Sequence, residues 1–387
     1  MTERPDWEAG GFGLYIHWPF CAAKCPYCDF NSHVAATIDH TRWRKAYLAE
    51  LRRAARETHG RVLNTVFFGG GTPSLMDPGT VAAILDEVRR LWPMANDPEI
   101  TLEANPTSVE AGKFRAFRQG GITRVSMGVQ SLRDDDLRRL GRMHSVAEAR
   151  QAFDIARKEF DRVSFDMIYA RQGQTREGWS AELTEALSMA VDHLSAYQLT
   201  IEPGTAFGDR YARGKLRDLP DDDLSADLYD LTQEICTAHG MPAYEVSNHA
   251  APGSESRHNL IYWRYGDYIG IGPGAHGRVT TPEGRMASET HLAPGAWLQA
   301  VEQRGTGETL RSTLPAADQA AEYLMMSLRL SEGSDLSRLA RLDLAPDAAR
   351  LSHLQELGLV ALTGSRLRAT QAGRRVLNGV LRELLMD

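Results

Sequence analysis

Three of the four cysteines in this 387-residue chain, Cys21, Cys25 and Cys28, share one short stretch, while Cys236 stands alone. Their spacing is CxxxCxxC. A secreted fold would spread its cysteines to staple distant segments, so this clustering reads as metal ligation in a reducing compartment. Three thiolates on one tight loop can each take one iron of a [4Fe-4S] cubane and leave the fourth iron without a protein ligand. The amino and carboxylate groups of S-adenosylmethionine (SAM) can occupy that position. An electron from the cluster then cleaves the sulfonium to a 5'-deoxyadenosyl radical, chemistry that the cofactor performs while the protein orients it. A Cys3His zinc site completed by His17 or His33 is the competing reading.

Further along, Gly69-Gly70-Gly71-Thr72 directly follows Phe68, and glycines there let the backbone approach a ligand closely. The run lacks the Lys and Ser/Thr of a phosphate loop, which argues against nucleotide phosphate. Glu103, Gln130 and Asp166 fall in or at the ends of apolar runs, and Arg142 lies just beyond one. A carboxylate in such a run must find donors. Ribose hydroxyls suit Glu103, Gln130 and Asp166, and a guanidinium suits a carboxylate ligand; internal ion pairs or strand-end caps would use the same residue types. Tyr27 either packs near the cluster loop or belongs to the core.

A third constellation is His258-Asn259-Leu260-Ile261-Tyr262-Trp263. An imidazole can bind haem iron axially and aromatic rings can lie against the macrocycle. Positions 258 and 262 share one side in either a strand or a helix. A core histidine with two packed aromatics is the alternative, and His249 and His276 are other candidate iron ligands.

The elements that must position these residues are short apolar runs alternating with amphipathic helical patterns. The runs cover 13–17, 64–68, 99–103, 124–129, 162–168 and 193–199, with helices predicted over 43–56, 80–91, 146–158 and 176–190. Such βα alternation predicts a parallel sheet with right-handed crossovers, either a partial barrel or an open doubly wound sheet. After about Glu202 the rhythm breaks, and an irregular stretch rich in Gly and aromatics is expected to about Arg278. From about Leu314 helices return, over 319–330 and 345–357, followed by a hairpin and a last helix. This predicts a small α-rich C-terminal domain with winged-helix character. The expected division is 1–205 for the barrel with cluster and SAM site, 206–310 for an extension carrying the histidine motif, and 311–387 for the C-terminal domain.

With 42% hydrophobic and 25% charged residues, the composition is that of an ordinary globular protein. The net charge of -7 gives no basic field to recruit nucleic acid or an anionic membrane. The first residues lack the order of a signal peptide, and no apolar run is long enough to span a bilayer. The expected place is the cytoplasm, with membranes touched only through a partner.

The stretch from Leu14 to Ser32, Leu-Tyr-Ile-His-Trp-Pro-Phe-Cys-Ala-Ala-Lys-Cys-Pro-Tyr-Cys-Asp-Phe-Asn-Ser, resembles the radical SAM family of oxygen-independent coproporphyrinogen III oxidases. It is more similar still to the relatives called HemW, regarded as haem chaperones. The resemblance covers essentially the whole chain and implies an α/β fold, a (β/α)6 partial TIM barrel. It also implies SAM contacts at Tyr15, Phe30, Gly70, Gly71, Thr72, Glu103, Gln130, Arg142 and Asp166, and haem contacts at His258, Tyr262 and Trp263 with His258 on the iron. One departure stands out: relatives read GLPGQT after the fifth strand, whereas Ala170-Arg171-Gln172-Gly173-Gln174-Thr175 stands here. The oxidases carry a fourth cysteine where this chain has Phe30, and a long segment before the cluster where only twenty residues precede Cys21. Both differences favour the chaperone over the oxidase, with a radical SAM enzyme acting on another substrate as a further alternative. The resemblance implies haem, an acceptor haem protein such as a membrane respiratory enzyme, and an electron donor for the cluster as partners.

Overall fold

The structure, a computed structural model, describes residues 5–385; Met1–Arg4, where the N-terminal segment begins, and the last two residues lie outside the described residues. All six predicted strands form. They are β1 (Phe12–Trp18), β2 (Leu63–Gly70), β3 (Met94–Ala104), β4 (Arg124–Gln130), β5 (Arg162–Tyr169) and β6 (His193–Gln198). They lie side by side in sequence order, all parallel. Parallel neighbours need a crossover, and helices supply it. The helices His40–Glu57, Pro78–Leu91, Val146–Glu159 and Arg176–Met189 start at side-chain caps on Asp39, Asp77, Ser145 and Thr175, the third with a complete capping box to Glu148.

The strands alternate in chemistry. Leu14, Ile16, Val66, Phe68, Leu102, Val125, Met127, Val163, Phe165 and Leu194 are buried in the main core with helix residues such as Tyr47, Leu51, Val81 and Phe153. The opposite face carries Tyr15 and Glu103, which line a cavity, Arg124, Ser126 and Ser164, which bond to one another, and Thr65 and Ser195, which bond to His258 and Asn248. Period-two alternation thus puts apolar side chains under the helices and polar ones inside the curve of the sheet.

The stretch expected to be irregular is instead largely ordered. It holds a helix, Asp222–Ala238, then β7 (Asn248–Ala250), a short helix Arg257–Trp263, and β8 (Asp267–Ile271). The Asp222–Ala238 helix starts on an Asp221 cap and buries Leu228, Leu231 and Cys236; its acidic first turns and polar face weaken the periodic signal. Strand β8 pairs parallel with β1 on the side away from β2, and β7 pairs antiparallel with β6. Beyond β8 an antiparallel run continues as β9 (His276–Thr281), β10 (Gly284–Thr290) and β11 (Glu308–Thr313), so among the described residues the sheet has 11 strands in the order β11-β10-β9-β8-β1-β2-β3-β4-β5-β6-β7.

A second apolar cluster gathers Ala320, Tyr323, Leu324, Leu339, Leu354, Leu367 and Leu381 around a three-stranded sheet that includes the hairpin Val360–Thr363 and Arg366–Ala369. Arg338 anchors this part to the barrel. Buried to 6% exposure, it donates to both Asp6 carboxylate oxygens and to the carbonyls of Arg264 and Tyr265. Among the described residues no helix is long and apolar enough to cross a membrane.

Candidate functional site

In a barrel of this kind the working groups collect at the C-terminal ends of the strands. Here the chain leaves β1 through Phe20–Cys21, which pairs with His33–Val34 and closes the cysteine loop at its base. Cys21, Cys25 and Cys28 are all half-buried free thiols, each beside a polar group. Thr72 Oγ1 donates to Cys21 Sγ at 3.4 Å, Arg142 Nη1 donates to Cys25 Sγ at 3.3 Å, and Ser32 Oγ lies 3.8 Å from Cys28 Sγ. Burial raises the Cys21 thiol, and the Thr72 hydroxyl works against that rise. Hydrogen bonds to three separate sulfurs suit a cluster whose thiolate ligands each need charge stabilisation.

Among the described residues no three His, Cys, Asp or Glu side chains converge as a single metal ion requires. Cubane thiolates bind different irons and need no such convergence. His17, one of the histidines that would complete a zinc site, has both nitrogens engaged. Its Nε2 donates to the Asn31 carbonyl at 2.9 Å, and Nδ1 accepts from the Tyr15 hydroxyl at 3.0 Å.

The glycine turn abuts the cysteine loop. Gly71 N donates to Trp18 O and Thr72 N to Phe20 O. A Cβ at Gly71 would sit 2.7 Å from the Phe20 carbonyl, so only glycine lets the turn lie this close. Glu103 accepts from Gly70 N at 3.2 Å. Burial and the Asp166 charge push the Glu103 carboxyl up to about 8; burial likewise raises Asp166 to about 6 against the Ser195 hydroxyl and the Arg124 and Arg142 guanidiniums.

Asn105, which sequence reasoning passed over, joins the parts: its Nδ2 donates to Thr72 Oγ1 at 3.2 Å while its Oδ1 accepts from Arg142 Nη2 at 2.7 Å. The signal was its place two residues after Glu103, just before Pro106 ends the strand. Gln130, left-handed at φ 71°, keeps Oε1 buried without a partner, as does Arg142 Nε. Such orphaned polar atoms beside paired carboxylates fit a polar ligand with hydroxyl, amino and carboxylate groups. The departing loop after β5 is pinned rather than loose. Arg171, 3% exposed, pairs with Glu182 and Asp136 and donates to the carbonyls of Ile168 and Gln130.

A cavity of about 360 Å³ opens at this end of the barrel. Tyr15, His17, Gly70, Glu103, Tyr262 and Tyr268 line it together with Asn31, Gly274 and the exposed Phe30 and His276. The histidine motif is the Arg257–Trp263 helix, capped by Ser256. This helix enters the barrel so that His258 stacks on Phe67 with centroids 5.0 Å apart and meets Tyr262 edge-on at 4.9 Å.

His258 is 1% exposed, with Nδ1 2.7 Å from the Thr65 hydroxyl and Nε2 2.8 Å from the Tyr262 hydroxyl. Both ring nitrogens of His258, the residue expected on the haem iron, are hydrogen-bonded here, so an iron bond would displace Tyr262 or Thr65. Trp263, expected to contact haem, ends the same helix. It lies beneath the Arg329 guanidinium, 6.0 Å from the ring centroid, and is not among the cavity-lining residues. His249 is fully buried outside the cavity. Tyr27 packs with Phe207, Leu140 and Ile168 in a small satellite core.

Known proteins resemble this chain along most of its length. The profile of the radical SAM superfamily matches residues 15–183, and that of the HemN C-terminal domain matches 314–376. The heme chaperone HemW of Escherichia coli is 38% identical over 97% of this chain and 98% of its own. The chain belongs to the HemW family of radical SAM proteins. The HemW of Mycobacterium tuberculosis is also 38% identical, over 97% of this chain and 95% of its own. A mitochondrial relative from Bos taurus, radical S-adenosyl methionine domain-containing protein 1, is 38% identical over 100% of this chain and 92% of its own. Among solved structures, coproporphyrinogen III oxidase (HemN) from Escherichia coli, described as a radical SAM enzyme, has a TM-score of 0.81 at 22% identity over 99% of this chain and 93% of its own. At that identity the likeness carries the fold alone, and it is the partial-barrel fold that the resemblance implied.

Proposed function

We propose that this protein is a haem chaperone: it takes up haem at the mouth of the barrel and hands it to an acceptor haem protein. The observation that carries the reading is Phe30 on the cavity rim, 63% exposed, at the place where the oxidases have a fourth cysteine. An exposed aromatic offers an apolar face to a planar ligand and no further thiolate. The 38% identity to heme chaperones over nearly the full chain supports the same reading.

The residues divide as follows. Cys21, Cys25 and Cys28 would hold a [4Fe-4S] cluster, with Thr72, Arg142 and Ser32 donating or lying next to their sulfurs. Tyr15, Gly70, Gly71, Thr72, Glu103, Gln130, Arg142 and Asp166 would hold SAM, with the carboxylates accepting from hydroxyls and Arg142 offering its unpartnered Nε. When bound, that pair supplies reductive cleavage of the sulfonium. Tyr262 and Tyr268 give the haem an aromatic wall, and His258 braces Tyr262 from below. The cytoplasm is the proposed place of action, and the acceptor and an electron donor are the proposed partners. Anaerobic reconstitution followed by parallel assays of haem transfer and coproporphyrinogen decarboxylation tests the reading.

A further inference from the structure

Thr72 and Arg142 reach the cysteine loop from different strand ends, and one amide joins them. Asn105 directly follows β3, and Pro106 after it biases its backbone to an extended conformation. Its own N–H donates to Glu110 Oε2 at 2.8 Å. Glu110 is 3% exposed and also accepts from the Ser74 hydroxyl, so the side chain of Asn105 is fixed at its root.

Which way the amide points follows from what its partners can do. A guanidinium has donors and no acceptor, so the atom 2.7 Å from Arg142 Nη2 must be the amide oxygen. The amide nitrogen is then the atom 3.2 Å from Thr72 Oγ1. Because the hydroxyl accepts there, its one proton is left for Cys21 Sγ at 3.4 Å. Arg142 is itself oriented by the Gly128 carbonyl, 2.8 Å from Nη2, and sends Nη1 to Cys25 Sγ at 3.3 Å. The bonds form one chain of fixed direction, from Arg142 through Asn105 and Thr72 to Cys21, and its two ends rest on different sulfurs. A reduced cluster carries more negative charge than an oxidised one, so donors to its sulfurs favour reduction and raise the potential.

We infer that Asn105 is a positioning residue of the cluster: it aims the Thr72 proton at Cys21 and thereby raises the cluster's reduction potential, an assignment that rests on Cys21, Cys25 and Cys28 carrying a [4Fe-4S] cluster. A residue that touches no sulfur thus helps to set how readily the cluster takes an electron.

The test is a redox titration of the reconstituted cluster in the full-length protein without SAM, followed by electron paramagnetic resonance, in a double-mutant cycle. Asn105→Asp keeps an acceptor for Arg142 but replaces the donor with a second acceptor, so the Thr72 hydroxyl turns to the carboxylate and leaves Cys21. The midpoint potential should fall. Part of that fall comes from the added charge, and Thr72→Val isolates it: in the Thr72→Val background Asn105→Asp should shift the potential by clearly less than in wild type. Electron–nuclear double resonance of the reduced cluster should show one exchangeable proton fewer in Asn105→Asp than in wild type. Asn105→Ala, which adds no charge, should give a smaller shift of the same sign with the same dependence on Thr72. Equal shifts in the two backgrounds, no shift, or loss of the cluster in both Asn105 variants overturns the assignment and leaves the wild-type cluster standing. Failure of wild type to bind iron and sulfide overturns the cluster as well.

Discussion

His258 Nε2 lies 2.8 Å from the Tyr262 hydroxyl, one helical turn along the same face. Since Thr65 Oγ1 occupies the other ring nitrogen at 2.7 Å, the motif histidine links a barrel strand to the cavity-lining tyrosine. In this structure the two bonds tie Tyr262 to β2 and so brace the cavity.

Removing that brace should cost stability. His258→Ala empties a stacked, doubly bonded site, and about 2–4 kcal/mol should be lost in denaturant unfolding. The histidine's acid-base behaviour gives a second check. Burial first, then the Arg124 charge, lowers His258 to about 3 from an ordinary 6.5. The unfolded chain binds more protons between those values, so this contribution is present above about 6.5 and is lost as pH falls toward 3. His258→Gln should flatten the fall in stability over that window.

Glu103 has the opposite sign. Its carboxyl is raised from 4.5 to about 8 by burial and by Asp166. The folded state therefore binds more protons in that interval, and the stability contribution, present below 4.5, is lost as pH rises through 8. In cluster-loaded protein without SAM, Glu103→Gln should be more stable than wild type at pH 8 by on the order of 2–4 kcal/mol, and the gap should close near pH 4. Parallel stability curves that never diverge with pH would count against the buried carboxyl.

Cys21, Cys25 and Cys28 should each be required for the cluster, and Cys236 should not. Cys236 sits fully buried in the Asp222–Ala238 helix, with burial alone pushing its thiol up to about 12. Iron and labile sulfide analysis of the four Cys→Ala variants checks this. Stoichiometric zinc with no labile sulfide would mean the wrong metal.

Arg338→Met should loosen the C-terminal part, since it removes the guanidinium that donates to Asp6 and to the carbonyls of Arg264 and Tyr265. About 3 kcal/mol should be lost, and proteolysis should begin in residues 316–385 before the barrel is cut.

The barrel was legible in the sequence because its outward side chains alternate with inward polar ones at a strict period of two; Leu14-Tyr15-Ile16-His17 already shows the pattern. Strand β8 escaped notice because Asp267-Tyr268-Ile269-Gly270-Ile271 follows a left-handed Tyr265 and closes the sheet on β1, a pairing across more than 200 residues that local pattern cannot carry. The three cysteines proposed to hold the cluster stand out by their spacing. Asn105 and the Gly272–Ala275 turn do not, because what they do depends on contacts with distant segments, Arg142 and Thr72 for one and Asn31 for the other. For His258, sequence shows which face it shares with Tyr262 but not that both ring nitrogens are bonded.

The most direct measurement of the central claim is a paired assay on anaerobically reconstituted, cluster-loaded protein. One arm follows haem moving from this protein to an apo-form acceptor haem protein, and the other follows coproporphyrinogen III with SAM and a reductant. The account predicts stoichiometric haem uptake and delivery with no decarboxylation. Conversion of coproporphyrinogen III to protoporphyrinogen IX, with no haem bound or passed on, would contradict it.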